Sequence, residues 1–204
     1  MRVPGQPWRV LSVLGSLVAV AACLDGCSKS DVDPVYDEAG KLQMLRYDGN
    51  HDGKPESVSY LTGGRIVRIE IDQNEDGKVE RWEYYDANQK LEKVGFSRAG
   101  SGREDAWSFA DDRGAVVRLE LANGSDQRVT RTEHYSGDNL VRAEEDTDGD
   151  GVIDKWETFD AGRLSMVAFD TEHAGRPTRR IVYAADGGVR AELDPDGDGN
   201  FVAP

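Results

Sequence analysis

From Val35 to the carboxyl end, hydrophobic positions alternate with polar ones in short runs instead of recurring every three or four residues. RIVRIEI, RWEYY, AWSFA, VVRLEL, KWETF and LSMVAF are rich in aromatic and β-branched types, and Gly, Asn or Asp bounds each. A period of two over such lengths reads as half-buried β-strand. The runs come in pairs across short polar turns (DANQK, DDRGA, DAGR, ADGG), the pattern of β-hairpins. An amphipathic helix needs an uninterrupted stretch of about 10 to 12 residues, and the turn signals leave no room for one.

A second signal is superimposed on the strands. The motif D-x-[DN]-x-D-G occurs at 48 (DGNHDG), 72 (DQNEDG), 146 (DTDGDG) and 194 (DPDGDG), at intervals that are multiples of about 24 residues. Eroded copies stand where that period demands them, from Ser97, Ala122 and Asp170. The copy at 122 keeps little beyond Asp126 and Tyr135, and the copy at 170 has Ala174 where a third acid belongs. Residues 35–204 are therefore expected to be all-β, an antiparallel hairpin-repeat meander of about thirteen strands with acidic loops between hairpins. Each hairpin buries little alone, so neighbours must stack or pair.

Alternating acids around a glycine hinge let a short backbone wrap one hard cation. Asp146-x-Asp148-x-Asp150-Gly151-Val152-x-Asp154-x-x-Glu157 resembles the twelve-residue EF-hand calcium loop, and Asp72, Asn74, Asp76, Lys78, Glu80 and Glu83 match it equally. The resemblance implies Ca²⁺, with the carbonyls of Lys78 and Val152 as ligands. It stops at the loop, because IVRIEI and LVRAEE on the flanks are strands. The period is similar to that of thrombospondin type 3 repeats, though their cysteines are missing. In an extended strand Glu80 and Glu83 stand about 10 Å apart, so Glu80 and Asp154 are favoured over Glu83 and Glu157. Asp48, Asn50, Asp52 and Glu56 make a third candidate site, weakened by Ser59 at its twelfth position. Asp194, Asp196, Asp198 and Asn200 make a fourth, close to the carboxyl end. The competing reading of all these loops is Asx-rich turns without an ion.

Composition narrows the partners. Of 204 residues 39 are Asp or Glu and 25 Lys or Arg, a net charge of -14, which repels nucleic acid where no basic patch intervenes. No cysteine follows Cys27, so the repeats hold no disulfide and no Cys-ligated zinc. At the amino end, Arg2 and Arg9 precede the apolar run VLSVLGSLVAVAA, which has the length of a secretory h-region and is too short to span a bilayer. It ends in Val20-Ala21-Ala22-Cys23, which resembles the bacterial lipobox. This implies a signal peptide over 1–22, a lipid on Cys23 and a tether over 23–34. Leu24-Asp25-Gly26-Cys27 is a second candidate, and a plain signal peptide is the remaining reading. The expected product is a lipid-anchored domain of the cell envelope.

Trp82, Trp107 and Trp156 share one repeat position, with Tyr84 and Phe109 two residues further on. They read as a core stripe or as an exposed ladder that stacks on sugar rings. Alternation puts them on one face and Arg81, Glu83, Lys155 and Glu157 on the other, giving an apolar and a charged face. An apolar face needs covering, by curling of the array, by another copy or by a ligand. His51, His134 and His173 form no metalloprotease motif and read as surface residues, and there is no G-x-S-x-G or phosphate loop. The expectation is a calcium-binding, non-enzymatic scaffold or adhesion module, with glycan binding as its alternative.

Overall fold

The computed structural model describes residues 30–123 and 127–204. The signal segment, Cys23, Cys27 and Asp126 lie outside the described residues. The rest is all-β: β1 (Val32–Tyr36), β2 (Leu42–Tyr47), β3 (Ser57–Thr62), β4 (Arg65–Ile71), β5 (Arg81–Tyr85), β6 (Leu91–Phe96), β7 (Ala106–Ala110), β8 (Val116–Ala122), β9 (Val129–Ser136), β10 (Asn139–Glu145), β11 (Lys155–Asp160), β12 (Arg163–Phe169), β13 (Arg179–Tyr183) and β14 (Val189–Leu193). They form one antiparallel sheet in strict chain order. That is one strand more than the repeat pattern suggests. The first begins at Val32, inside the segment expected to be tether.

A meander puts successive connections at opposite ends of the strands. Tight turns therefore line one end of the sheet, and the loops that begin at 48, 72, 97, 122, 146, 170 and 194 all emerge at the other. Neighbouring loops are two strands apart, about 10 Å. Three of the seven tight turns are set by aspartates. Asp86 accepts from the N–H groups of Asn88 and Lys90, both at 2.8 Å, and Asp37 and Asp111 do the same in their own turns. Six of the seven hairpins carry a register shift next to the turn. Such bulges add twist to the ribbon.

The cross-strand register decides the character of the faces. Trp82 pairs with Glu70 and Gly95, Trp107 with Gly95 and Glu120, and Trp156 with Glu144 and Ala168. One row over, Tyr84 lies between Arg68 and Lys93, and Phe109 between Lys93 and Arg118. The cations cover the rings: Arg68 sits 4.3 Å from the Tyr60 ring centre, Lys93 4.2 Å from Tyr84 and Arg118 3.9 Å from Phe109. Glu104 folds over Gly95 and takes hydrogen bonds from the Tyr84 hydroxyl (2.6 Å) and the Trp107 indole N–H (2.9 Å). A side chain at 95 would collide with it.

On the opposite face, Ile69, Ile71, Val94, Phe96, Val167 and Phe169 surround Arg81, Glu83, Lys155 and Glu157. At its centre Arg131 reaches Glu133 (2.8 Å), Glu145 (2.9 Å) and Glu157 (2.8 Å), and Lys155 joins Glu145 and Glu157. Burial opposes the charge on Arg131, but Glu133 and Glu157 outweigh it and raise its pKa. Ala143, fully buried, lies between Glu133 and Glu157 in the same row.

The division into one apolar and one charged face is therefore not what forms. In a hairpin array each strand's neighbours come from the other half of the unit, and R-x-E in β4, β8 and β10 alternates with the aromatic strands. Nor does the array curl back on itself to cover a face: among the described residues each strand packs only against its neighbours in sequence. Both faces are amphiphilic, with the stems of long charged side chains covering the apolar ones. The pressure to hide one face is correspondingly small. Buried residues such as Leu61, Trp82, Val94 and Val167 are scattered along the sheet.

Stability should thus reside in lateral side-chain networks. Arg131→Met takes the shared guanidinium away from three carboxylates, of which Glu145 and Glu157 keep only Lys155, and is expected to cost about 2–3 kcal/mol. Arg142→Met, at a side chain 54% exposed and 3.5 Å from Glu144, should cost less than about 0.5 kcal/mol. Urea unfolding of the two variants checks this contrast.

Candidate metal centre

Numbered from their first residues, the loops share one hydrogen-bonding frame. The side chain at position 1 accepts the N–H of position 6: Asp48 from Gly53 (3.0 Å), Asp72 from Gly77 (2.9 Å), Asp146 from Gly151 (2.9 Å), Asp170 from Gly175 (2.6 Å) and Asp194 from Gly199 (3.2 Å). Position 3 caps position 5, as Asn50 does for Asp52, Asn74 for Asp76 and Asp148 for Asp150. Position 5 caps position 7, so Asp52, Asp76, Asp150 and Asp198 accept from Lys54, Lys78, Val152 and Asn200. Position 9 closes the loop: Glu56 accepts from Gly49 (2.9 Å), Glu80 from Gln73 (2.8 Å) and Asp154 from Thr147 (3.1 Å). The chain turns left-handed at positions 4 and 6, as at Glu75 (φ 57°) and Gly77 (φ 84°), which is why glycine recurs at position 6.

This frame draws together many of the residues singled out in the sequence. Ligand oxygens of Asp146, Asp148 and Asp154 lie within 4.8 Å of one another, as do those of Asp194, Asp196 and Asp198. Asp48, Asn50, Asp52 and Glu56 are gathered by the same bonds in the first loop. Glu83 and Glu157 are held elsewhere: they stay in β5 and β11, paired with Arg81 (2.6 Å) and with Arg131 and Lys155. The extended strand carries position 12 away, whereas position 9 still belongs to the loop.

The loop at 97 separates frame from ligand. There Ser97 caps Ser101 and Gly102, and Asp105 accepts from Arg98 and Ala99. The same backbone form thus arises without acids at positions 1, 3 and 5. Here Arg98 itself lies on Asp105 (3.2 Å) and reaches the carbonyl of Ala122 (2.8 Å). In the acidic loop at 72, by contrast, Asp72 Oδ1 is buried without a hydrogen-bond partner.

Sequence reading missed a set of bases. Position 7 is basic at Lys54, Lys78, Arg103, Arg128 and Arg176, and several of these reach into the next loop. Lys54 Nζ approaches the Glu75 carbonyl (3.4 Å), Arg128 donates to the Gly149 carbonyl, and Arg176 pairs with buried Asp194 (3.0 Å). Their common period was the available signal. Loops also meet through position 4: Asn50 donates to Glu75 (2.6 Å), and a hydrogen bond with the Asp52 carboxyl raises the Glu75 pKa. Asp170 is shifted the other way. Burial acts to raise it, but the backbone N–H groups of Ala174, Glu172, Gly175 and Arg176 prevail and hold it below the usual range.

No known protein family matches the sequence, and no curated protein is significantly similar to it. Among solved structures, TarM is similar over 45% of this chain and 18% of its own, at 12% identity and a TM-score of 0.38. A GtfA/B complex bound to UDP and GlcNAc is similar over 84% and 28%, at 14% identity and a TM-score of 0.21. Accessory secretory proteins of Streptococcus pneumoniae match over 90% and 23%, at 10% identity and a TM-score of 0.20. The chain spans under a third of those structures, and likeness this low carries no inference about activity.

The carboxyls give opposite pH signatures. Groups held below their unfolded pKa, such as Asp86, Asp111 and Asp170, contribute stability that is complete above about pH 4 and is lost as pH falls through their folded values. Glu75, raised, contributes stability at low pH that is lost as pH rises through its folded value. In chelator, Glu75→Gln should therefore raise the melting temperature at pH 7 and have no effect near pH 4, which thermal scans at the two pH values test.

Proposed function

We propose that this chain is a calcium-stabilised, lipid-anchored protein of the cell envelope, a non-enzymatic scaffold or adhesion module. The observation that carries the calcium reading is Asp72 Oδ1. A buried carboxylate oxygen without a partner costs about 1–3 kcal/mol or more, and a cation seated among Asp72, Asn74, Asp76 and Glu80 would satisfy it. The same frame in the loop at 146 offers Asp146, Asp148, Asp150 and Asp154. At 48 it offers Asp48, Asn50, Asp52 and Glu56. In the loop at 194, Arg176 already stands against the first carboxylate, so calcium there would have to displace a tethered cation.

The acids recur at a fixed period and cap their own backbone, which supports a structural use over catalysis. The glycan-ladder alternative finds less support: Trp82 is 7% exposed, and cations lie over the rings of Tyr60, Tyr84 and Phe109. The anchor rests on Cys23, or on Cys27, and mass spectrometry of the mature amino terminus should find a diacylglyceryl cysteine there. An unmodified terminus beyond residue 27 would remove the anchor.

Ions that bind only the folded chain stabilise it by RT ln(1 + [Ca]/Kd), about 2.7 kcal/mol per site at 100 Kd. The melting temperature should rise by several degrees between chelator and millimolar Ca²⁺. Asp72→Asn, which keeps an acceptor for Gly77 and removes the charge, should erase one site's share of that rise. A melting temperature indifferent to calcium would end this reading.

A further inference from the structure

We infer that Asp148, Asp150 and His173 form a binding site for a divalent transition metal of the zinc class, at the junction between the loops at 146 and 170. Their ligand atoms lie within 4.8 Å of one another, two carboxylate oxygens from one repeat and an imidazole nitrogen from the next. Calcium takes oxygen ligands. An imidazole beside carboxylates instead suits Zn²⁺, Ni²⁺ or Cu²⁺. Tetrahedral bonds of about 2.0–2.1 Å need the three atoms about 3.3 Å apart, a closure within reach of three exposed side chains. Water would complete the shell.

The junction geometry recurs along the array. Position 4 of one loop faces positions 3 and 5 of the loop before it: Glu75 meets Asn50 and Asp52, and His173 meets Asp148 and Asp150. His173 is held in place independently of any ion. The Asp170 carboxylate takes the N–H groups of Glu172 (3.1 Å), Ala174 (3.0 Å) and Gly175 (2.6 Å), which fixes the left-handed turn at His173 (φ 53°).

What distinguishes this junction is its charge. Lys54, Arg128 and Arg176 stand at position 7 of their loops and bring a cation to the next one. The corresponding residue of the loop at 146 is Val152, 50% exposed. The built-in base is thus replaced by an apolar side chain where two aspartates meet a histidine. A bound metal would supply the positive charge that a lysine or arginine supplies elsewhere. It would also cross-link two repeats of a sheet without a second layer. Asp148 and Asp150 also belong to the loop proposed to hold calcium at 146, so with both ions bound each carboxylate would bridge them, one oxygen to each, while His173 serves the transition metal alone.

Isothermal titration with Zn²⁺, in millimolar Ca²⁺, of the unlipidated chain from residue 23 carrying Cys23→Ser and Cys27→Ser, so that no thiol competes for zinc, tests the assignment. One zinc per chain is expected to bind. His173→Ala should weaken it at least tenfold, and Val152→Lys, which restores the base without touching a ligand, should do the same. His51→Ala should leave binding unchanged; it controls for the other position-4 histidine, which lies 3.2 Å from Asp31. Circular dichroism verifies that each variant keeps its sheet. Wild-type zinc affinity in the folded His173→Ala or Val152→Lys variant would overturn the assignment, as would its loss in His51→Ala or complete displacement of zinc by calcium.

Discussion

The structure depends on lateral pairing between consecutive strands. A sheet one layer thick has no interior into which side chains can be driven, so the usual large term, burial of an apolar face against a second layer, is small here. What replaces it is the main-chain ladder, continuous from β1 to β14, together with side chains laid flat across neighbouring strands. Arginine suits this role because its stem packs against apolar neighbours while its planar head binds several carboxylates at once. Arg131, with three glutamates from three different strands, is the clearest case.

Because every contact is between neighbours, stability behaves as a sum of hairpins and interfaces. The loops then matter more than connections usually do. Each is the only covalent link between hairpins, and each must find partners for several backbone N–H groups of its own. The loop frame meets that need with its own side chains, through aspartates at 48, 72 and 146 and through serines and Asp105 at 97. Calcium and, at one junction, a transition metal would act on a frame already formed, adding charge neutralisation and cross-links between hairpins. Alignment of all loops at one end of the sheet turns separate motifs into an interacting row about 10 Å apart. Like charges accumulate along it, and the position-7 bases relieve them.

Much of this was legible in the residues. Period-two alternation between Gly, Asn and Asp turns is local, and it fixed strand type and order, since consecutive short strands joined by short turns pair with one another. The loop frame was legible too, because D-x-[DN]-x-D-G encodes caps at fixed offsets within nine residues. Placing Glu80 and Asp154 in the loops, and Glu83 and Glu157 outside them, followed from strand rise alone.

Only the tertiary structure could decide what lies beside what across strands. The pairing of Trp82 with Glu70 and Gly95 joins residues 12 and 13 positions apart through register, and register made both faces mixed instead of one apolar and one charged. The same holds for the loops. His173 looks like an isolated surface histidine in the sequence, because its partners Asp148 and Asp150 belong to the preceding repeat and meet it only once the intervening hairpin has folded back. Local pattern determines each element; contacts between repeats depend on the sum of turn lengths, bulges and twist, which no single stretch of the chain contains.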